Sequence, residues 1–231
     1  MTKSDPLDLY ARIEPMIGFY EAYETLYACY LDQLHRYPVK TVLDIGCGNG
    51  TMLLKLQKRY EAKGIDLSKK MVEIARSKGA NAHHQPLDAE KERYDAILAV
   101  ADVLNYLDKP SLKKFLTVIS QTLKPGGIFL FDINTLYGFE EVTAGSLIKE
   151  EEEAFLAIDA RFENDRLFTD ITLFEKEGKQ WLRSQAHITQ YYYDVADIME
   201  RSDLKLIGME DITLFGDEPD KTLLILQKEK R

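Results

Sequence analysis

"VLDIGCGNG", Val42 to Gly50, runs from an aliphatic segment into an acid, Asp44, and then places Gly46, Gly48 and Gly50 at every second position. Glycine loses more backbone entropy on folding than any other residue. A cluster of it directly after a buried strand therefore signals positive φ or a close backbone approach. The flanks set the context. "TVLDIG" reads as a short buried strand, and "TMLLKLQKRY" after it as an amphipathic helix. "AKGIDLS" is a second strand, with Ser68 placed to cap a helix over Lys69–Lys78. "ANAHHQPLD" is a weak third strand and "YDAILAV" a strong fourth. A helix over Ser111–Leu123 carries Leu112, Phe115, Leu116, Ile119 and Leu123 on one stripe, and "PGG" then turns the chain into "IFLFDIN", a fifth strand. Strands alternating with helices predict parallel βαβ units and a doubly wound α/β sheet.

Outward from this core the pattern changes on both sides. Before residue 38 the apolar and tyrosine positions, among them Ile17, Tyr20, Tyr23, Leu26, Tyr27 and Tyr30, follow helical spacing. Between 136 and 193 three extended segments appear: "AFLAIDARFE", "RLFTDITLFEK" and "KQWLRSQAHITQYYY". Turn-forming Asn164-Asp165 and Glu177-Gly178 sit at the joins, which predicts an antiparallel meander. A helix near Asp194–Ser202 and the segments "LKLIGMEDITLF" and "KTLLILQKE" resume the α/β pattern. The expected division is one domain over 1–231. It has an N-terminal helical cap (1–38), a core (39–135 and 194–231) and a β insertion (136–193).

Composition narrows the function classes. Thirty lysines and arginines stand against 39 acids, a net charge of −9, which argues against a broad nucleic-acid-binding face. The two cysteines, Cys29 and Cys47, form neither a zinc pattern nor a disulfide framework, and no His/Asp/Glu cluster suggests a metal. No apolar run reaches ~18 residues, and the first ten residues lack the apolar region of a secretory signal. The expectation is a cytoplasmic protein with no membrane partner.

In open α/β sheets, ligands bind beyond the carboxyl ends of the strands, where "DIGCGNG" lies. Two phosphate motifs do not fit it. The dinucleotide pattern G-x-G-x-x-G would need its third glycine one residue later than Gly50, which disfavours a nicotinamide-dependent oxidoreductase. A P-loop would need a lysine followed by Ser or Thr. Asp44-x-Gly46-x-Gly48-x-Gly50 instead resembles motif I of the class I S-adenosylmethionine-dependent methyltransferases. Asp66 in "GIDLS" is similar to that family's ribose-binding acid, and a carboxylate has the two acceptor oxygens this role needs. Asp88 in "QPLDAE" matches its adenine-side acid, and "YDAILAVADVLNYL" and "LKPGGIFLFD" match the later strands and turn. The resemblance covers Lys40 to Asp132. It implies a Rossmann-like, seven-stranded mixed sheet and S-adenosyl-L-methionine as cofactor. The implied cofactor contacts are Asp44, Gly46, Gly48, Gly50, Asp66, Leu67, Met71, Asp88, Ala89, Val100 and Ala101. Taken singly, each has a plainer reading: a tight turn, a helix-terminal charge, or a turn aspartate.

The acceptor is less legible. "VADVLNYL" lacks the N-P-P-Y signature of nucleobase amino-methylation, so no DNA partner is expected. Along "WLRSQAHITQY", Trp181, Arg183, Gln185, His187, Thr189 and Tyr191 share one strand face, read here as a wall of the acceptor pocket. The plainer reading makes it the solvent face of an edge strand. His187 and Tyr20 are the candidate catalytic groups, and Tyr10, Asp102, Asn105, Arg183 and Tyr191 the candidate pocket. The run "KEEEEAF" from Lys149 reads as a solvated face. The expected activity is methyl transfer to a small amine or carboxylate by a monomer or homodimer. tRNA or protein methylation, or noncatalytic cofactor binding, are the alternatives.

Overall fold

The computed structural model describes residues 2–3 and 5–230. The chain opens with a two-residue strand, β1 (Thr2–Lys3), and two helices, α1 (Pro6–Ile17) and α2 (Tyr20–Leu34). There follow β2 (Thr41–Ile45), α3 (Thr51–Leu56), β3 (Glu61–Asp66), α4 (Lys69–Ser77), β4 (Ala82–His84), β5 (Tyr94–Ala99), α5 (Lys109–Thr122) and β6 (Leu123–Asn134). Four long antiparallel strands come next: β7 (Gly145–Glu151), β8 (Ala154–Glu163), β9 (Arg166–Glu177) and β10 (Gln180–Tyr191). The chain ends in α6 (Val195–Glu200), β11 (Lys205–Ile212) and β12 (Lys221–Gln227).

Seven strands form the main sheet in the order β11-β12-β6-β5-β2-β3-β4. Strands β6, β5, β2, β3 and β4 are parallel, while β12 runs antiparallel to both its neighbours. The order reverses beside β2, so its carboxyl end opens a crevice at the turn that carries the glycines. Both faces of the sheet are covered. Leu26, Tyr30 and Leu34 of α2 pack with Val42, Leu98 and Leu130 on one side, and α5 and α6 pack with Leu43, Ile97 and Phe129 on the other. Side-chain caps define the helix starts: Asp5 accepts from Leu7 N, Ser68 from Met71 N and Asp108 from Ser111 N.

The meander departs from expectation in three ways. It has four strands of its own, because a further strand precedes the three expected ones and ends in the exposed acidic run at Glu150–Glu151. An edge strand needs bonding on one side only, and charge there blocks stray pairing. Residues Thr2–Lys3 then pair in parallel with β10 and complete a five-stranded sheet. Finally, the β10 face read as a pocket wall points away from the core. Ser184, Ala186, Ile188 and Gln190 form the inner face, with Ala186 and Ile188 packed among Leu9, Ile13, Leu156, Ile171 and Leu173. Arg183 and His187 stand on the opposite, outer face, where both are exposed. In the core, α3 is shorter than expected, and the Pro-Gly-Gly turn falls inside the extended span of β6.

Asp95 staples the start of the main sheet. Its Oδ2 accepts from Lys40 N (3.0 Å), Thr41 N (2.9 Å) and Thr41 Oγ1 (3.0 Å), and its Oδ1 from Lys124 Nζ (2.9 Å). Burial opposes its charge, but these bonds outweigh burial and hold the carboxyl at about 2. A depressed carboxylate pKa stabilises the fold above the unfolded value near ~4 and loses that contribution as pH falls through about 2. Asp95→Ala is expected to cost about 1–2 kcal/mol at pH 7 by urea unfolding, less at pH 3. An equal loss at both pH values would refute the assignment.

Candidate functional site

Three glycines make the turn after β2 possible. Gly46, Gly48 and Gly50 have φ of 67°, 49° and 80°, the left-handed region that side chains disfavour. At Gly48 a Cβ would meet nothing nearer than Gly46 O at 4.0 Å, so that side of the turn is open to a ligand. At Gly50 it would strike Ala75 Cβ at 2.8 Å, so that glycine serves close helix packing. Asp66, at the end of β3, faces the turn. Its Oδ2 accepts from Gly48 N (2.9 Å) and its Oδ1 from Ser68 N (2.7 Å), leaving further lone pairs for other donors.

Asp44 lies beneath, 1% exposed, with Oδ2 unpartnered. Burial first, and then the charge of Asp66, push its carboxyl up to about 8. An orphaned buried acceptor is costly unless a ligand satisfies it. Helix α1 lies across this turn: Ser68 Oγ donates to Asp8 (2.6 Å) and Asn49 Nδ2 donates to Glu14 (2.7 Å). Its other side is tied to the meander through Arg12, which donates to Ser184 Oγ (3.2 Å) and pairs with Glu175.

Beyond β5 the backbone is strained. Ala101 and Asp102 both adopt positive φ (65° and 51°) without being glycine. The cause is Asp132 on β6, fully buried, whose Oδ1 accepts from Ala101 N (2.7 Å) and Oδ2 from Asp102 N (2.9 Å). Tyr30 OH (2.6 Å) and Lys221 Nζ (3.0 Å) complete its shell. Asp102 in turn accepts from Lys221 Nζ (2.8 Å) and from Gln190 Nε2 of the meander (2.6 Å). Tyr10 and Tyr23 gather above, their hydroxyls 3.4 Å apart. Burial first, with the charge of Asp102 adding to it, raises both phenols, so they remain neutral donors.

The other sequence candidates are placed as follows. Met71 is buried, Leu67 and Ala89 are exposed, and Asp88 is exposed and near Lys114 Nζ (3.4 Å). Val100 is buried beside Ala101. Asn105 is fully buried, donating to Tyr191 O and accepting from Asn134 N, which makes it a backbone peg. His187 pairs with Asp170 (3.0 Å) on the outer face, Arg183 lies over Phe174 there, and the Tyr191 ring lies under Arg166. Tyr20 is 55% exposed. His187, Arg183 and Tyr20 are therefore not brought to Asp102. Tyr23, Asp132, Gln190 and Lys221 are, and sequence reading missed them. The signal was an acid inside the apolar run "IFLFDIN" and a lysine opening the apolar strand "KTLLILQ". No cluster able to hold a metal occurs among the described residues. None of their helices is long and apolar enough to cross a membrane.

Known proteins match this arrangement. Residues 42–127 match the methyltransferase domain family pattern. Over those residues the chain is similar to the class I S-adenosylmethionine-dependent methyltransferases. A protein of Geobacillus sp. (strain WCH70) with a provisional methyltransferase name is 27% identical over 145 residues, 58% of each chain. A similarly named protein of Bacillus subtilis (strain 168) is 31% identical over 124 residues, 48% of this chain and 49% of that one. The chain thus spans about half the length of the curated relatives it matches. Among solved structures, an S-adenosylmethionine-dependent methyltransferase from Clostridium acetobutylicum ATCC 824 has a TM-score of 0.75 at 22% identity, covering 96% of both chains. The sugar N-methyltransferase KedS8 from Streptoalloteichus sp. has a TM-score of 0.74 at 16% identity, covering 99% of this chain and 95% of that one. These likenesses show the fold.

The family's methyl donor fits the residues present: an open glycine turn, a carboxylate with free lone pairs at Asp66, and an orphaned carboxyl oxygen at Asp44. A raised Asp44 pKa means that ligand-free stability declines as pH rises from ~4 through about 8. Asp44→Asn is expected to remove that slope and to raise the ligand-free thermal midpoint at pH 8, as scanning calorimetry would register. Parallel pH profiles for the two proteins would refute the assignment.

Proposed function

We propose that this chain transfers the methyl group of S-adenosylmethionine to the nitrogen of a small amine. When bound, the donor supplies an electrophilic methyl on a sulfonium. An amine that has first lost its proton to solvent would attack that methyl: the N–C bond would form as the S–C bond breaks, sulfur would leave as a neutral thioether, and the positive charge would pass to the methylated nitrogen. Gly46, Gly48, Asp44 and Asp66 would hold the donor. Asp88, as the family resemblance suggests, would take the adenine side, and Val100 and Ala101 the methionine end.

The observation that carries the amine reading is Asp102, locked at positive φ with its carboxylate among the phenols of Tyr10 and Tyr23. Its neighbouring cation, Lys221, is already shared with Asp132 and Asn134, so Asp102, Asp132 and Lys221 together carry a net negative charge. A carboxylate acceptor would enter against that charge. A cationic or incipiently cationic nitrogen is favoured by it and by aromatic faces. Burial by α1 and the meander would exclude water and align the acceptor, from which much of the rate of a direct displacement can come. The small-molecule reading is supported by the KedS8 likeness, since that protein is a sugar N-methyltransferase. A second reading, O-methylation of a carboxylate, has support in a relative from Halalkalibacterium halodurans. That malonyl-[acyl-carrier protein] O-methyltransferase is 29% identical over 180 residues.

Calorimetric titration with S-adenosylmethionine is expected to give micromolar binding, weakened at least about 30-fold by Asp66→Ala through loss of charge-assisted hydrogen bonds worth about 2 kcal/mol. Formation of S-adenosylhomocysteine with parallel panels of primary amines and carboxylic acids decides the acceptor. Turnover confined to amines supports the proposal, turnover confined to acids replaces it with the second reading, and no binding of the donor removes both.

A further inference from the structure

Lys221 opens the otherwise largely apolar strand β12, and it is almost wholly buried. Burial works against its charge, but Asp102 and Asp132 outweigh burial and keep the ammonium protonated. Buried ion pairs are seldom the most stabilising choice, since apolar residues of similar volume often serve as well. The geometry is more specific than stability demands. Nζ lies 2.8 Å from Asp102 Oδ1, 3.0 Å from Asp132 Oδ2 and 2.8 Å from Asn134 Oδ1. One ammonium therefore joins the strained turn after β5 to the end of β6 and separates two carboxylates that would otherwise repel. Gln190 holds the remaining oxygen of Asp102 from the meander at 2.6 Å.

We propose that Lys221 is a positioning residue for the acceptor: paired with Asp102, it holds that carboxylate aimed at the incoming nitrogen while touching neither donor nor acceptor. The inference rests on the amine reading above. Without the ammonium, Asp102 faces Asp132 as a like charge and swings away from it. That movement takes a fixed negative charge from the acceptor position. The other titratable groups facing Asp102 are Tyr10 from α1, Tyr23 from α2 and Tyr106 from the turn after β5. These phenols are all raised, so none of them titrates near neutral pH.

The test uses the protein loaded with S-adenosylhomocysteine and titrated with tetramethylammonium, with tert-butanol as the uncharged control. The wild type is expected to bind the ammonium and not the alcohol. Lys221→Gln is expected to weaken ammonium binding about tenfold, because Asp102 is no longer held in place. Its affinity for S-adenosylhomocysteine should stay within about threefold of wild type. Lys221→Gln/Asp102→Asn keeps the net charge of the cluster, so it should fold with a near-native thermal midpoint yet bind the ammonium weakly. If Lys221→Gln does not fold, this double variant decides alone.

Wild-type ammonium binding in either variant overturns the inference, as does a Lys221→Gln variant that loses thermal stability and nothing else. A wild type that binds S-adenosylhomocysteine but not tetramethylammonium overturns the amine reading and this inference together. A wild type that binds the ammonium while the variants are unaffected overturns this inference alone.

Discussion

Asp132 accepts three hydrogen bonds and pairs with Lys221, with no exposure to water, and the site is organised around it. A carboxylate buried so completely is stable only when each lone pair is used and a cation is near. Tyr30 from α2, Lys221 from β12 and the amides of Ala101 and Asp102 supply those partners, so four parts of the chain must converge correctly. In return, two non-glycine residues are kept in a backbone region that costs of order 1–3 kcal/mol each. The strain is local and the shell over-determines it.

From that clamp the site extends in two directions. Toward β2 and β3, the glycine turn and the acids Asp44 and Asp66 make the cradle proposed to hold the methyl donor, with α1 lying across it. Toward the meander, Asp102 meets Gln190, so the antiparallel sheet is tied to the core by a side-chain bond as well as by packing on α1. Helix α1 joins both halves. Asp8 and Glu14 reach the cofactor side, while Arg12 reaches Ser184 and Glu175 on the meander.

Fold and cradle were legible because they depend on local chemistry. Period-2 and period-3.6 patterns mark β2 through β6, Ser68 marks the start of α4, and positive φ at three alternate positions leaves glycine as the natural choice. The meander's turns were legible for the same reason: Asn164, Asp165 and Gly178 all take positive φ. Its faces were not. Alternation along β10 divides the residues into two sets, but both sets mix polar and apolar side chains. Which set turned inward depended on α1 covering Ala186 and Ile188. Functional-looking Arg183 and His187 were consequently assigned to the pocket, whereas exposed positions tolerate such residues at little cost.

By itself, then, the sequence determined the alternating sheet, the glycine turn, the acid at the end of β3 and the antiparallel character of the insertion. Each is set by backbone preferences acting over a few residues. Tertiary structure alone decided that Lys221 and Gln190 meet at Asp102, and Tyr30 and Lys221 at Asp132. Those residues are spread along most of the chain, from Tyr30 to Lys221. Their convergence follows from strand order and helix packing, which bring distant charges into hydrogen-bond range and exclude the water that would otherwise screen them.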